Sequence, residues 1–560
     1  MIMVLILWSY ITIISLVIGF FTLQLINKFL SVHTSFSVIH YIVAGTVFLT
    51  VYAQIISLFS GISFLAHLIM LIFTIGCAVF MRKDLLQLIR KHKLLSLENF
   101  VYLGIILVCA FFASRGNEHY DTGLYHAQAI HWLEDYGVIK GLGNLFGNYA
   151  YNSSWLPYTT LFSMKFLGGQ SFHTTNGFLM ALMCIYALKG LWDFRKHKSH
   201  EADMMRFGIL FYAVIICVVA QSPSTDLPAM FFTLYIILRW CENTVEGDKS
   251  VPIYSLQCIL IVYTVTLKLS AALLVLLVIA PAVMLIRKKE VRAIGTYISL
   301  GVLVLLPFLI RNIILSGWLL YPFEAIDLFN FEWKIPVENV ALDSAYIKVY
   351  GRKTLEPDLI NQSILKWFPV WWDNSENYDR LLLLSQIIGL FVMAISFIKQ
   401  IVRKEKIEWN IELLNLTLFV CLLSWLFTAP FIRYGLGFML AIPLLAIGEY
   451  HESKRISLYK VTAMSCIVLI VTCLAPYWNN YVLDSLLFVK NNASEGYYVF
   501  PKPYEAKEVT SLEVNGITFY EPYSTDQLGY DAFPGIGRGK KFEFLGDDIK
   551  DGFKTADELN

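Results

Sequence analysis

The sequence has 560 residues, of which 57% are hydrophobic and only 16% charged, whereas a water-soluble protein carries roughly a quarter charged residues. Apolar runs of about 20 residues recur from end to end, and each can cross about 30 Å of hydrocarbon as a helix. The composition therefore predicts a polytopic α-helical membrane protein embedded in a lipid bilayer. The net charge of +1 argues against a nucleic-acid partner.

The nine cysteines lie in or beside apolar segments, and none forms a C-x-x-C pair. They indicate neither a disulfide framework nor a zinc site. Residues 1–20 lack a basic region and a small-residue cleavage site, so we interpret them as a retained first span rather than a signal peptide.

Hydropathy predicts about 14 transmembrane helices. The basic segment 82–93 is expected in the cytoplasm, so the fourth span delivers the residues after it to the outer side. This orientation requires that 153–167 is a juxtamembrane or re-entrant segment; if it is a full span, everything after it inverts. The predicted spans are 3–27, 36–58, 62–81, 99–114, 172–192, 205–221, 226–241, 252–269, 270–286, 293–314, 381–402, 410–428, 431–449 and 457–476.

Three hydrophilic regions are then expected on the outer side: 115–171, 316–380 and 477–560. The middle region is rich in Trp, as expected for outer juxtamembrane helices at the headgroup level. The last region contains Asn515-Gly516 between β-prone runs, a good hairpin turn. The predicted organisation is N-terminal transmembrane helices (1–98), a catalytic transmembrane core (99–476) and a small periplasmic C-terminal domain with some β structure (477–560).

A polar cluster follows the fourth span. The residues Thr122–Tyr136 are predicted to form an amphipathic helix along the membrane surface, and Asp121 comes just before it. A carboxylate there could accept the proton of an attacking hydroxyl group, since low-dielectric surroundings tune its pKa. The alternative is that the acids of this cluster merely solvate a loop.

A second acid and three cations are expected at the same side. Asp226 follows a predicted outer turn, where it suits a helix N-cap or could face the polar cluster. Lys268, Arg311 and Arg433 are placed at outer helix ends. They either snorkel to headgroups or neutralise a phosphate or diphosphate at the outer leaflet.

A metal site is only an alternative. His126 and His131 are five residues apart, not the three or four typical of helical zinc pairs. Glu118 and Asp121 could hold Mg²⁺ or Mn²⁺ through oxygen ligands. The expected chemistry requires no cofactor.

These stretches resemble the GT-C superfamily of integral-membrane glycosyltransferases, over about residues 95–450 in architecture. The similarity rests on EHYDTGLYHAQAIHW for the loop acid, SPSTDLPA for the second acid, and RNIILSGWLLYP and APFIRYG for the cationic helix ends. The chain also resembles bacterial multispan proteins with a YDTGLYH-type loop and a GRGKKFEFLGDDIKDGF-like tail. The resemblance implies a catalytic Asp or Glu just beyond a span and a polyprenyl-phosphate-linked sugar donor.

By this resemblance Asp121 is the candidate general base, with Glu118 as the alternative, and Asp226 is the supporting acid. The family's frequent Asp-x-Asp or Asp-Glu pair is missing, because two residues separate Glu118 from Asp121. The resemblance therefore carries over no metal-dependent mechanism. The candidate substrate-binding residues are Arg115, His119, Tyr120, His126, Lys268, Arg311 and Arg433.

We therefore expect an enzyme of the bacterial inner membrane that transfers a sugar to a glycan, lipid or protein acceptor on the periplasmic face. A polymerase of lipid-linked glycan units is a close alternative, and it predicts essential basic residues at Lys348, Arg352 or Lys353. A flippase or transporter of lipid-linked glycans is the alternative of another class. It predicts charges near the middle of the membrane, broken helices and repeat symmetry.

Overall fold

A computed structural model describes most of the chain, and within that part the fold is helical with four short strands near the C-terminus. Glu118, the basic residues 195–198 and the predicted span at 457–476 lie outside the described residues. The described residues are 1–90, 96–115, 119–192, 199–244, 251–354, 356–454 and 483–556.

The N-terminal part begins with two tightly packed helices. A side chain at Gly19 would collide with the backbone of Tyr41, and one at Gly45 with the backbone of Ser15. Small residues of this kind let two helix backbones touch within a membrane. The first five helices are α1 (Ile2–Leu30), α2 (Val38–Ser57), α3 (Phe64–Phe80), α4 (Arg82–Arg90) and α5 (Leu97–Arg115).

The central part contains nine helices around α11, which is buried along almost its whole length. A π-helical turn, Thr122–His126, precedes α6, and a 3-10 helix, Leu269–Val278, precedes α13. Shorter 3-10 turns are Leu142–Asn144, Gly147–Ala150 and Cys217–Val219. The helices are α6 (Ala127–Asp135), α7 (Trp155–Leu161), α8 (Lys165–Gly168), α9 (Thr175–Trp192), α10 (His200–Ile216), α11 (Asp226–Asn243), α12 (Val251–Leu267), α13 (Ile279–Arg287) and α14 (Val291–Ser316).

The C-terminal part adds six helices, a 3-10 turn and two antiparallel strand pairs. The predicted hairpin is present, with Asn515 and Gly516 both in the left-handed conformation of its turn. The elements are α15 (Val337–Arg352), Pro357–Leu359, α16 (Ile364–Asn374), α17 (Asn377–Arg403), α18 (Trp409–Thr428), α19 (Ile432–Lys454), α20 (Leu483–Asn492), β1 (Val509–Val514), β2 (Ile517–Pro522), β3 (Phe542–Phe544) and β4 (Phe553–Thr555).

Nine helices of the described part are long and apolar enough to cross a membrane, or up to ten if α3 and α4, bent by 82°, form one span. This confirms a polytopic helical membrane protein with a small C-terminal β region, but not the 14 predicted spans. Part of the difference has local causes, because α12 has only 17 residues and α11 carries three charged residues. The predicted span 457–476 lies outside the described residues and is not counted. The segment 153–167 forms only the seven-residue α7 and the start of α8, which is too short to cross a bilayer.

The first outer loop and the C-terminal tail share one hydrophobic core. Trp132 of α6 is fully buried in a cluster with Phe519, Phe542 and Phe553 of the strands. Gln128, also buried, donates its amide to the tail carbonyl of Ala532 at 2.9 Å. The apolar side of α6 therefore packs against the tail. The sequence had predicted instead that this helix lies along the membrane surface.

The tryptophans of region 316–380 also differ from their predicted place. Trp318, Trp367 and Trp371 are each at most 2% exposed. The indole N–H of Trp318 donates to the carbonyl of Ile335 at 2.9 Å, and that of Trp371 to the carbonyl of Pro430 at 2.8 Å. These three rings are therefore covered by the protein and do not face lipid headgroups.

Candidate functional site

Five polar side chains from four segments meet at one end of the bundle. Asp121 precedes the π-helical turn, and Asp226 is the first residue of α11. Lys268 joins α12 to the following 3-10 helix, and Arg433 lies in the first turn of α19. His119, two residues before Asp121, completes the group, which we call the outer charge cluster.

Arg433 links the two acids of this cluster. Its Nη1 atom is 2.9 Å from Oδ2 of Asp121, and its Nε atom is 3.6 Å from Oδ2 of Asp226. Lys268 contacts the other carboxylate oxygen of Asp226, and its Nζ atom lies 4.4 Å from the centre of the Tyr434 ring. The carboxylate of Asp226 is therefore an ion-pair partner. Thr225 is the N-cap of α11, and Asp226 is the first residue inside the helix.

Buried hydrogen bonds fix the spacing of the two acids. The hydroxyl oxygen of Ser222 accepts the backbone N–H of His119 at 3.0 Å and contacts the hydroxyl of Thr122. Asn176, in the first turn of α9, donates its amide to the carbonyls of Ser222 at 2.6 Å and Ser224 at 2.8 Å. The loops that carry Asp121 and Asp226 are thereby tied together, and such a satisfied polar network is rigid.

The local electrostatics favour an ionised aspartate beside neutral histidines. Burial opposes the ionisation of Asp121, but the positive charge of Arg433 and smaller contributions from its neighbours hold the pKa of this carboxyl below its usual value. Burial lowers the pKa of His119, and it lowers the pKa of His126 to about 3. Burial and the charge of Arg433 lower the pKa of Lys268 to about 7.

His126 is a buried polar group with unused hydrogen-bonding capacity. It is 1% exposed, and neither of its ring nitrogens has a hydrogen-bond partner in the described part of the chain. It belongs to the turn that follows Asp121, and the centre of its ring lies 4.2 Å from that of Tyr125. Buried polar atoms are usually paired, so His126 is suited to receive a polar group of a ligand.

A narrow cleft opens beside the outer charge cluster. Asp226, Lys268 and Arg433 supply its charged wall. Its remaining lining is mostly small or apolar and comes from α11, the 3-10 helix and α19: Ala229, Met230, Thr233, Ser270, Ala271, Tyr434, Leu436, Gly437 and Phe438. A cleft with a charged end and an apolar length suits an amphiphilic ligand that has an anionic head.

The structure does not bring Arg311 and Arg115 to this cluster. Arg311 is 2% exposed and donates from Nη1 to Oγ of Ser57 at 2.6 Å and from Nε to Oδ1 of Asn152 at 3.2 Å. The guanidinium of Arg115 lies 4.0 Å from the centre of the Tyr498 ring in the tail. Both cations are thus engaged in packing contacts between segments.

Tyr120 connects the loop of the site to the tail. Its side chain is 56% exposed, and its hydroxyl donates to the carboxylate of Asp526 at 2.5 Å. Glu118, the alternative general base, lies outside the described residues, so its role stays a prediction.

Three ligand atoms of the cluster could take part in metal binding. His119, Asp121 and Asp226 each offer one atom, and these atoms lie within 4.8 Å of one another. One imidazole and two carboxylates fit a divalent cation such as Mn²⁺ better than Mg²⁺. Since Lys268 and Arg433 already pair with the same carboxylates, a metal ion would have to compete with them. The set differs from the predicted Glu118 and Asp121.

Three residues of the site were not singled out from the sequence: Asn176, Ser222 and Tyr434. Each is a polar residue within or beside an apolar helix, which is a signal in a membrane protein. No spacing in the sequence connects them, because they lie on three segments that only the fold brings together.

Fold and site together define a multi-pass helical membrane protein with a cluster of acids and cations at one end of its bundle. Residues 1–440 match the family model described as Domain of unknown function (DUF8201), and the chain belongs to this family. The match contains all five residues of the outer charge cluster and ends before the C-terminal tail. Neither the curated proteins nor the solved structures contain a match.

Proposed function

We propose that this protein is a membrane glycosyltransferase that moves a sugar from a polyprenyl-phosphate donor to a glycan, lipid or protein acceptor. The observation that carries the proposal is the outer charge cluster beside an otherwise apolar cleft. A lipid phosphate needs cations for its head and an apolar wall for its chain. A transfer reaction needs in addition a base near the attacking hydroxyl group, on the face of the sugar opposite the departing phosphate, and we assign this role to Asp121.

The chemical step is a single displacement. An acceptor hydroxyl oxygen attacks the anomeric carbon of the donor sugar while the bond from that carbon to the phosphate oxygen breaks. Asp121 takes the proton of the hydroxyl group. The electron pair of the broken bond leaves with the polyprenyl phosphate, whose charge Lys268 and Arg433 stabilise. The configuration at the anomeric carbon is inverted.

Donor binding would exchange the partners within the cluster. In the free protein Arg433 pairs with Asp121, and Lys268 pairs with Asp226. A phosphate that binds both cations would loosen the pair between Arg433 and Asp121, so the carboxylate of Asp121 would become a stronger base when the donor is present. Asp226 would remain beside Lys268 and hold its ammonium group toward the phosphate. His126 could then hydrogen-bond the donor sugar.

The topology supports a reaction on the outer side of the membrane. The span that begins just after Lys268 ends at Arg287 and is followed by two lysines. The span Asn377–Arg403 likewise ends in a basic cluster. The outer charge cluster lies at the other end from these basic residues, and the positive-inside rule puts such residues in the cytoplasm. We therefore propose the periplasmic face of a bacterial inner membrane.

Radiolabelled polyprenyl-phosphate sugars supplied to membranes with the full-length protein test the proposal. We expect the wild type to move label from the lipid to a larger product. Asp121→Asn should reduce this rate by about 10²–10⁴, the usual contribution of a general base, and Asp226→Asn should also reduce it. Asp135→Asn is the matched control, because Asp135 is an acid of the same loop with a side chain 40% exposed.

The other outcomes identify the alternatives. Equal transfer by Asp121→Asn and wild type would remove Asp121 from this role and point to Glu118. If labelled lipid crosses the membrane of sealed vesicles but no donor gives sugar transfer, the protein is a flippase and the proposal is wrong.

Two of the three cations that a glycan polymerase would need, Arg352 and Lys353, are engaged elsewhere. The guanidinium of Arg352 lies 4.7 Å from the centre of the Trp367 ring and donates to the carbonyl of Phe427 at 3.2 Å. Nζ of Lys353 is 2.5 Å from the carboxylate of Asp379. These contacts hold region 316–380 together, which favours the transfer of a single sugar over polymerisation.

A further inference from the structure

A second cleft lies between the first outer loop, the region after α14 and the C-terminal tail. We call it the tail cleft. The polar side chains of its walls come from all three segments: Asn148, Tyr321, Asn339, Asp343, Lys540 and Lys541. The two lysines belong to the GRGKK stretch of the tail, which the outer charge cluster does not use.

Four polar side chains of the tail cleft make no hydrogen bond within the described residues. The side chains of Asn148, Asn339, Lys540 and Lys541 form no hydrogen bond or ion pair with another described residue. Asn144, in the same wall, is different, because its amide donates to the carbonyl of Phe553 at 3.1 Å and to two further carbonyls. The wall therefore combines one structural amide with two amides and two ammonium groups that make no hydrogen bond within the described residues. One of these ammonium groups, that of Lys540, interacts electrostatically with the carboxylate of Asp343.

The backbone around the two lysines is held in place. Arg538 donates to the carbonyls of Tyr523 at 2.7 Å and Thr525 at 2.6 Å. The N–H of Gly537 donates to the carbonyl of Leu145 at 2.9 Å, which joins this loop to the opposite wall. Lys540 and Lys541 thus extend from an anchored loop, so that less conformational entropy is lost when they bind a ligand.

Aromatic side chains connect the tail cleft to the outer charge cluster. The hydroxyl of Tyr321 contacts the carboxylate of Asp343, and its ring centre lies 5.6 Å from that of Tyr151. The ring centre of Tyr151 in turn lies 6.2 Å from that of Tyr125, the neighbour of His126. Such rings present flat apolar faces with polar edges, which suit the faces and hydroxyl groups of sugars.

We propose that the tail cleft binds the acceptor as a glycan and selects one with a carboxylate-bearing sugar. This inference rests on the proposed function, because it supplies the acceptor for that reaction. The two amides would hydrogen-bond sugar hydroxyl groups, and Lys540 and Lys541 would pair with the carboxylate of the glycan. The tyrosines would direct the end of the glycan toward Asp121.

Binding of tetragalacturonate and of its fully methyl-esterified form to the full-length protein in nanodiscs tests this inference by calorimetry, without any donor. The two probes share their sugar ring and differ in charge. We expect the acid to bind at least about tenfold more tightly than the ester. The double variant Lys540→Gln, Lys541→Gln should lose this preference. Lys550→Gln, an exposed lysine of the same tail, is the matched control and should keep it.

Equal affinity for acid and ester, or binding of neither, would overturn the inference. Displacement of the acid by inorganic phosphate at equal concentration would also overturn it, because the cleft would then recognise any anion. Asp121→Asn separates this inference from the proposed function, since it should abolish transfer and leave tetragalacturonate binding unchanged. If the wild type binds tetragalacturonate but transfers no sugar, the proposed function is wrong and the tail cleft still binds acidic glycans. If it transfers sugar but does not bind tetragalacturonate, only the role of the tail cleft is wrong.

Discussion

Each end of α11 carries a cluster of charged side chains, and the two clusters are built differently. At its start lies the outer charge cluster with Asp226. Near its end, Arg239 and Glu242 form an inner ion network with Arg206 and Asp203 of α10. Nη2 of Arg206 is 2.5 Å from one oxygen of Glu242, and Nη1 of Arg239 is 2.7 Å from the other. Arg206 also contacts Asp203.

The two clusters differ in exposure and in the groups around them. The side chains of Arg206 and Asp203 are 1% exposed, whereas that of Arg433 is 31% exposed and borders a cleft. The outer charge cluster also has His126 beside it with unused ring nitrogens. The enclosed charges of the inner ion network therefore stabilise the packing of helices. The charges of the outer charge cluster face a cleft and are suited to bind a ligand.

Removal of one charge from the inner ion network should have the largest effect on stability. Arg206→Gln removes the cation that links the buried carboxylate of Asp203 to Glu242, which keeps Arg239, so we expect the free energy of unfolding to fall by about 3–5 kcal/mol. The transfer rate per folded molecule should not change. Unfolding in mixed micelles, followed by tryptophan fluorescence, measures the first quantity, and labelled donor measures the second.

Arg433→Gln is the matched variant in the outer charge cluster, and we expect the opposite pattern. The transfer rate should fall by about 10²–10³, since one group that stabilises the departing phosphate is lost. The free energy of unfolding should change by about 1 kcal/mol or less, because partly exposed ion pairs contribute little. The comparison fails if Arg433→Gln destabilises the protein as much as Arg206→Gln and leaves the folded molecules fully active.

Lys268 gives the outer charge cluster an expected pH dependence. Its pKa is lowered to about 7 by burial and by Arg433, so a rise in pH from about 6 to 9 removes its positive charge. The KM for the donor should then increase about tenfold over this range. Lys268→Arg should keep a low KM at alkaline pH, because a guanidinium stays protonated. If the KM of Lys268→Arg for the donor still rises at alkaline pH as in the wild type, a group other than Lys268 causes the pH dependence.

The sequence was informative wherever a local pattern determines the structure. Apolar length predicted the helices that can cross a membrane, although more of them than the described part contains, and the Asn515-Gly516 pair located the hairpin. Charged residues next to spans pointed to Asp121, Asp226, Lys268 and Arg433, which the fold does bring together.

The sequence was less informative wherever the partner lies far away in the chain. Arg311 has the same local signature as Arg433, a cation near the outer end of a long apolar run. Its partners are Ser57 and Asn152, which no local pattern could identify. Trp132 and Trp371 likewise looked like residues of the membrane interface, because the segments that bury them are distant in sequence.

Substitution of Tyr120, at the border of the outer charge cluster, should have the smallest effect on stability and transfer. Its hydroxyl binds Asp526 of the tail, and the side chain is largely exposed. Tyr120→Phe removes one hydrogen bond at the surface, so the free energy of unfolding should fall by about 0.5–1.5 kcal/mol. The same measurements on Asp526→Asn provide the control, because both variants weaken one contact between loop and tail. Transfer should stay within about threefold of the wild type. A larger loss in Tyr120→Phe alone would mean that the hydroxyl touches the substrate, and the predicted substrate-binding role of Tyr120 would then extend the site to the surface of the loop.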